Sequence, residues 1–406
     1  MRICKIWDAE YPWDVRVEKV ARTLAGAGHE VHVVARNRDR RPVEEQRPEC
    51  RVHRLAPLAP ALGDAANAAS MFPAFFNPRW LRLILRTARR TGAELILCRD
   101  LPLAPTAYAA ARRLGVPVVL DMAENYPAMI RAIWRTGYQR PADRFIRNPA
   151  VVAAVERWCV RRMDHILVVI EESRDRLVRL GVPAQKITIV SNTPPLERVG
   201  AVAARPREAG RDDALRVVYL GNIEPPRGLD TLIEAVARCR ARGVRVHATL
   251  IGRGVARPEL ERLARRLGVA DAVDFPGWVP DAMALLPTFD VGAIPYIADE
   301  SWDTTIPNKL FDYMAAGLAV AATDMAPVRR IVRETGCGEV VRAQDPDAFA
   351  SALVRLCDPA HRGRCAAAGR AAVERRYHWE HDARNLLDAI AAVAAGHARS
   401  PAGVRP

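Results

Sequence analysis

The feature that most limits what this chain can fold into is a recurrence of short β-branched runs separated by helix-like segments. In the first half the runs are RICKIW, EVHVVARN, RVHRL, ELILCR, PVVLDM, HILVVI and KITIVSN; in the second they are RVVYLG, RVHATLIG, AVDFPG, DVGAIPY, LAVAATD and GEVVR. Strands alternating with helices predict parallel sheets covered on both faces. Between the two sets, residues 197 to 215 are polar, carry Pro and Gly and keep no steady period, and read as a linker. The expected architecture is α/β, with two Rossmann-like doubly wound domains facing each other across a cleft. Ligands of such sheets bind outside the carboxyl ends of the strands, which makes that cleft the expected site.

Length agrees, since 406 residues exceed what one core usually spans. No apolar run approaches the roughly 18 residues that cross a bilayer. MRICKIW runs directly into DAEYPWD without a secretory pattern, so the mature chain is expected to start at Met1 and to work in the cytoplasm. The eight cysteines form no C-x-x-C pair and mostly lie in apolar segments, the usage of reduced core residues, and no metal site is expected. The net charge of +14 is uneven: residues 1 to 200 hold 33 Lys and Arg against 21 Asp and Glu, a surplus of 12, while the remaining 28 and 26 leave 2. The first half therefore reads either as facing something anionic or as an Arg-rich coding bias without a partner. No helix-turn-helix, zinc-finger or aromatic RNA-binding signature points to nucleic acid.

The stretch Thr304 to Asp324, TTIPNKLFDYMAAGLAVAATD, reads as a helix start, a turn at Gly317 and a buried strand. Pro307 suits a first helical turn, with Thr305 as cap. A helix beginning at the mouth of a cleft offers unpaired N–H groups to a phosphate; Lys309 adds a mobile charge, and Asp312 can accept hydrogen bonds from vicinal hydroxyls. A second stretch, residues 217 to 236, reads as strand, Gly-containing loop and helix after Gly228, with Arg227 placed to clamp phosphate oxygens. Together with LIGRG and FPGWVP, the two make a nucleotide-diphosphate site the better reading.

At these residues the chain resembles the family 4 glycosyltransferases of GT-B fold. DVRVEKVARTLAGAGHEVHVVAR is similar to that family's first βαβ unit, VDFPGWVP to its central loop, and KLFDYMAAGLAVAATD to its Glu-containing helix and following strand. The resemblance implies an N-terminal acceptor domain over 1–200, a donor domain over 201–375, and a closing helix and tail over 376–406 that return to the first domain. It implies a retaining transferase that moves a hexosyl or N-acetylhexosaminyl unit from a nucleotide-diphosphate sugar to an acceptor hydroxyl, without a metal or other cofactor. Arg227 then neutralises the diphosphate, where a lysine is usual. Asp312 holds the ribose, and Gly221, Asn222, Gly252, Thr304, Pro307, Asn308, Lys309 and Leu310 complete the donor side. Asp14, Arg16, Glu124 and Asn125 fall on the acceptor side, with Arg227, Asp312 and Glu124 nearest the chemistry.

Three positions depart from the pattern. The first motif glutamate is Thr304, the arginine after the loop glycine is Asn222, and the histidine after the PVVLD strand is Ala123, which leaves Glu124 as the nearest polar group. Such omissions resemble a branch associated with cell-surface polysaccharide or lipid-linked sugar assembly. The alternative is a weakened GT-B protein that binds a nucleotide sugar as a partner subunit. A sugar-nucleotide epimerase is disfavoured, because its acid-rich set is missing. HWEHD and DESWD read as solvated polar clusters. In Met71 to Arg90, Leu81, Ile84, Leu85 and Ala88 fall at helical spacing opposite Arg79, Arg82, Arg86 and Arg89, with Phe72, Phe75 and Phe76 before them and Arg131, Arg135, Arg140, Arg144 and Arg147 elsewhere in the same half. This basic amphipathic pattern predicts docking of the N-terminal domain on the inner face of the membrane, towards a lipid-linked or saccharide acceptor.

Overall fold

The computed structural model describes residues 1–12, 14–58, 70–71, 75–135, 148–203 and 214–399. Phe72, Arg140, Arg144 and Arg147 lie outside them. Two compact units result: residues 1–191 with the segment from Asp382 onward, and residues 192–381.

The first unit is built on eight strands: β1 (Arg2–Ile6), β2 (Glu30–Ala35), β3 (Glu44–Gln46), β4 (Arg51–Arg54), β5 (Leu95–Arg99), β6 (Val118–Met122), β7 (His165–Val168) and β8 (Ile187–Ile189). Their spatial order is β3-β4-β2-β1-β5-β6-β7-β8. All pairs are parallel except β3 with β4, a short polar edge pair that the sequence pattern missed. β5, β6 and β7 are buried at every position, as strands covered on both faces must be. The helix Pro78–Thr91 is capped by Asn77, whose side chain accepts from the Arg79 and Trp80 amides. It buries Trp80, Leu83, Ile84, Thr87 and Ala88, so the covered stripe is rotated from the one expected; Leu81 and Leu85 are only half-buried. The last helix, Trp379–Arg399, lies largely in this unit, where Asn385 donates to the Ile189 carbonyl at 3.2 Å.

The second unit holds β9 (Leu215–Leu220), β10 (Val246–Ile251), β11 (Val273–Gly277), β12 (Val291–Ile294), β13 (Ala319–Thr323) and β14 (Gly338–Val341), in the order β11-β10-β9-β12-β13-β14 and parallel throughout. The segment expected as a linker instead opens with a helix, Leu196–Ala203. Among the described residues no helix is long and apolar enough to cross a membrane. All eight cysteines are free, and only Cys357 is less than buried.

Candidate functional site

In the second sheet the strand order reverses between β9 and β12, so the loops leaving their carboxyl ends splay apart and open a crevice within that unit. The chain after β9 is pressed against the loop after β10: the Ile223 amide donates to the Arg253 carbonyl at 2.8 Å, and a Cβ on Gly252 would lie 1.8 Å from the Gly221 carbonyl oxygen. With φ near 150° as well, position 252 accepts only glycine. On the β12 side, Gly292 leaves room for the Tyr313 ring, which a Cβ there would meet at 2.2 Å. The Tyr313 hydroxyl in turn accepts from the Leu220 amide at 2.9 Å and ties the motif helix to the end of β9.

Two cations meet over this frame. Lys309 is only 9% exposed; its Nζ donates to the Tyr296 hydroxyl at 2.6 Å and lies 4.0 Å from the Tyr219 ring centroid and 4.7 Å from that of Tyr296. The Arg227 guanidinium covers the same Tyr296 ring at 4.7 Å and Trp302 at 4.9 Å. Neither cation forms an ion pair with a described residue; aromatic faces hold both. Burial first, then the charge of Arg227, push the Lys309 pKa well below the usual lysine value, against an opposing pull from Asp312. Burial likewise raises the phenols of Tyr219, Tyr296 and Tyr313, so they stay neutral donors. Two positive charges share one buried ring with no bonded carboxylate between them, and a diphosphate would supply the missing charge.

The structure brings Gly221, Asn222, Arg227, Gly252 and Lys309 together around these rings. A Cβ on Gly221 would lie 3.0 Å from the Lys309 Nζ, and the Asn222 carbonyl accepts from the Tyr219 hydroxyl at 2.6 Å. Several expectations need correction. Lys309 is held in an aromatic box and is not a mobile surface charge. The motif helix is Lys309–Ala315, so Pro307 precedes it, and its N-cap Asn308 makes no side-chain cap bond; Thr305 is therefore not the cap. The Leu310 amide already donates to the Pro307 carbonyl at 3.0 Å, which removes one of the N–H groups expected to face a phosphate. Leu310 and Pro307 are buried, Asn308 is exposed and Asp312 is half-buried one turn on. Thr304 is buried with its hydroxyl on the Glu300 carbonyl at 3.3 Å. The DESWD acids serve the backbone: Asp299 accepts from the Ser301 and Trp302 amides, and Asp303 from the Ala326 amide. In HWEHD, Glu380 accepts from the Leu196 amide, and no metal-ligand cluster occurs among the described residues.

Within the first unit the acceptor-side assignments divide. Asp14 caps the helix Val15–Gly26 through the Val17 amide at 2.9 Å, and Asn125 accepts from the Ala128 amide at 3.2 Å. Arg16 is buried, with Nε and Nη2 on Asp121 Oδ1 at 2.9 and 2.6 Å and Nη1 on the Val190 carbonyl at 2.7 Å, so its fork is consumed inside the fold. Glu124 is half-buried beside Ala123, whose amide donates to Asp100 Oδ1 at 2.9 Å. Sequence reasoning missed the carboxylate partner of Arg16, Asp121 in β6, which Lys5 of β1 also approaches at 3.7 Å, with Arg99 of β5 on its carbonyl at 3.4 Å. Burial would raise the Asp121 carboxyl, but the cations around it outweigh that and hold it well below the usual carboxylate range. It also missed Tyr219, Tyr296, Trp302 and Tyr313, which nothing in the neighbouring residues marks as lining a site.

Residues 14–193 match the family model described as glycosyl transferase 4-like domain, and residues 214–358 the one described as glycosyl transferases group 1. A protein of Stackebrandtia nassauensis named D-inositol 3-phosphate glycosyltransferase is 32% identical over 74% of this chain and 69% of its own. Among solved structures, sucrose-phosphate synthase of Thermosynechococcus elongatus superposes with a TM-score of 0.73 at 18% identity, covering 97% of this chain and 99% of that one. Anabaena HepE in complex with UDP gives 0.70 at 14%, covering 97% and 100%. With both units matched and the fold shared, the chain belongs to the family 4 glycosyltransferases and carries their two-domain α/β GT-B fold.

Proposed function

We propose that this transferase uses a nucleotide-diphosphate sugar and passes the sugar to an acceptor hydroxyl with retention, in cell-surface polysaccharide or glycolipid assembly. The observation that carries the donor reading is the pair Arg227 and Lys309 on the Tyr296 ring, two cations without a bonded carboxylate. Arg227 takes the outer phosphate with its planar fork, Lys309 takes the inner face of the same diphosphate, and Asp312 accepts from the ribose. As the glycosidic bond breaks, charge grows on the leaving phosphate, and fixed donors stabilise it without a metal. Peripheral attachment to the inner face of the membrane belongs to the same reading.

UDP is the nucleotide in the HepE structure, so UDP-glucose is the first donor to test. Nucleotide release should be followed for a panel of sugar nucleotides, with lipid-linked, saccharide and phosphorylated polyol acceptors, the last because of the relative's name. Acceptor-dependent release supports the reading. Binding of a sugar nucleotide with no turnover on any acceptor would favour the partner-subunit alternative, for which Thr304 and Ala123 speak. No binding of any sugar nucleotide would end both.

A further inference from the structure

Within the second unit, the chain after β12 folds back onto the loop that carries Arg227. A Cβ on Gly228 would lie 2.0 Å from the Pro295 carbonyl oxygen, and the Ile297 amide donates to the Pro226 carbonyl at 3.2 Å. The backbone is thus held on both sides of Arg227. Further on, Asp299 turns the chain again: its side chain accepts from the Ser301 and Trp302 amides at 2.8 and 3.1 Å, and its carbonyl accepts from the Trp302 amide at 3.0 Å. Asp303 then fastens the end of this segment to the Ala326 amide at 3.0 Å. The acidic stretch DESWD therefore serves to place one side chain, Trp302.

Three flat groups meet as a result. The Tyr296 and Trp302 ring centroids are 4.7 Å apart at a tilt of 59°, and the Arg227 guanidinium carbon lies 4.7 Å from the first and 4.9 Å from the second. Tyr296 is buried, while Trp302 and Arg227 are half-buried. Ring faces hold a cation without occupying its donors. An indole can only donate, and the one phenol oxygen already accepts from Lys309, so most of the five N–H groups of Arg227 stay available.

We propose that Trp302 is a positioning residue for the donor: it fixes the Arg227 side chain against Tyr296, so that the guanidinium fork is aimed before a diphosphate arrives. A loosely held arginine loses its rotamer freedom on binding, whereas one gripped by two rings has lost it on folding, which favours the bound state. The orientation matters because the fork is planar and its donors point in fixed directions. The inference rests on the donor reading of Arg227 and adds a residue that acts through it.

Calorimetry with UDP, GDP and ADP identifies the diphosphate that the parent binds; that nucleotide and its monophosphate, which lacks the outer phosphate, are then the probes. Trp302→Leu should weaken the diphosphate about 10-fold, less than removal of Arg227 itself, and leave the monophosphate nearly unchanged. A distorted crevice would weaken both alike. Trp302→Phe keeps a ring face and should recover most of the loss. In an Arg227→Ala background Trp302→Leu should have no further effect, since its only route to the ligand is gone. Unchanged diphosphate affinity in Trp302→Leu, an equal loss for both nucleotides, no recovery in Trp302→Phe, or additive losses in the double variant overturns the proposal and leaves the donor reading standing. A parent that binds none of the three diphosphates overturns the donor reading and this inference with it.

Discussion

At the residue scale the site turns on how two like charges are kept together. Arg227 and Lys309 both lean on Tyr296, and burial, with the charge of Arg227 beside it, disfavours the charged form of Lys309, a cost that an anion would relieve. Arg227→Ala should therefore lower kcat with the true donor on the order of 100-fold, the loss usual for one pre-aimed donor to a developing anion. Unchanged single-turnover rates would remove Arg227 from the chemistry. Lys309 makes a second, sharper prediction. Its pKa is depressed in the free protein, whereas a bound diphosphate favours the protonated form. UDP binding should then take up a proton at pH values between the free and bound pKa, and affinity should fall as pH rises through the bound value. Calorimetry in buffers of differing ionisation heat reads this directly; an uptake that persists in Lys309→Met would assign the proton elsewhere.

At the element scale the crevice depends on loops that nearly touch. Gly252 faces the Gly221 carbonyl so closely that an added Cβ meets backbone rather than a flexible side chain, and its φ lies where L-residues are strained. Gly252→Ala should cost about 3 kcal/mol or more, since neither loop can retreat without breaking the bond between Ile223 and Arg253. Denaturant melts would show it, accompanied by loss of UDP binding; a loss below about 1 kcal/mol would mean that the loops yield. The motif helix offers a contrast. Its seven residues are anchored by Leu310, Phe311, Tyr313 and Met314, all fully buried, so its place is set by packing rather than by a side-chain cap.

At the scale of the whole molecule, buried histidines couple stability to pH. His53 is pushed down to about 4, by burial first and then by His32 and nearby arginines; His32 and His165 are lowered as well, mainly by burial. The unfolded chain, with histidines near 6.5, binds more protons than the folded one throughout the interval down to about 4. Stability is thus full above about pH 7 and is lost as pH falls through that interval. The melting temperature should drop on going from about pH 7 to about pH 5, before most carboxylates titrate, and the drop should shrink in His53→Gln. A flat profile over that range would show that His53 is free to protonate in the fold.

Much of this was legible along the chain, and for a local reason. Alternation of buried strands and helices is written in consecutive residues, so the thirteen runs quoted above all became strands, while the short polar β3 did not announce itself. Arg227, Gly252 and Lys309 stand out in the sequence because their loop and helix settings leave a mark in neighbouring residues. What surrounds them left none. Tyr219, Tyr296 and Trp302 come from separate segments and carry no mark of a shared setting until the sheet brings β9 and β12 side by side. The same holds for Arg16, whose fork reads as available until Asp121, 105 positions away, closes on it. Sequence by itself determined the thirteen quoted strands and the family, because those depend on residues near one another in the chain. Only the tertiary structure decided which charges were spent inside the fold and which were left without a carboxylate partner among the described residues, because pairing and burial depend on neighbours that the chain order keeps far apart.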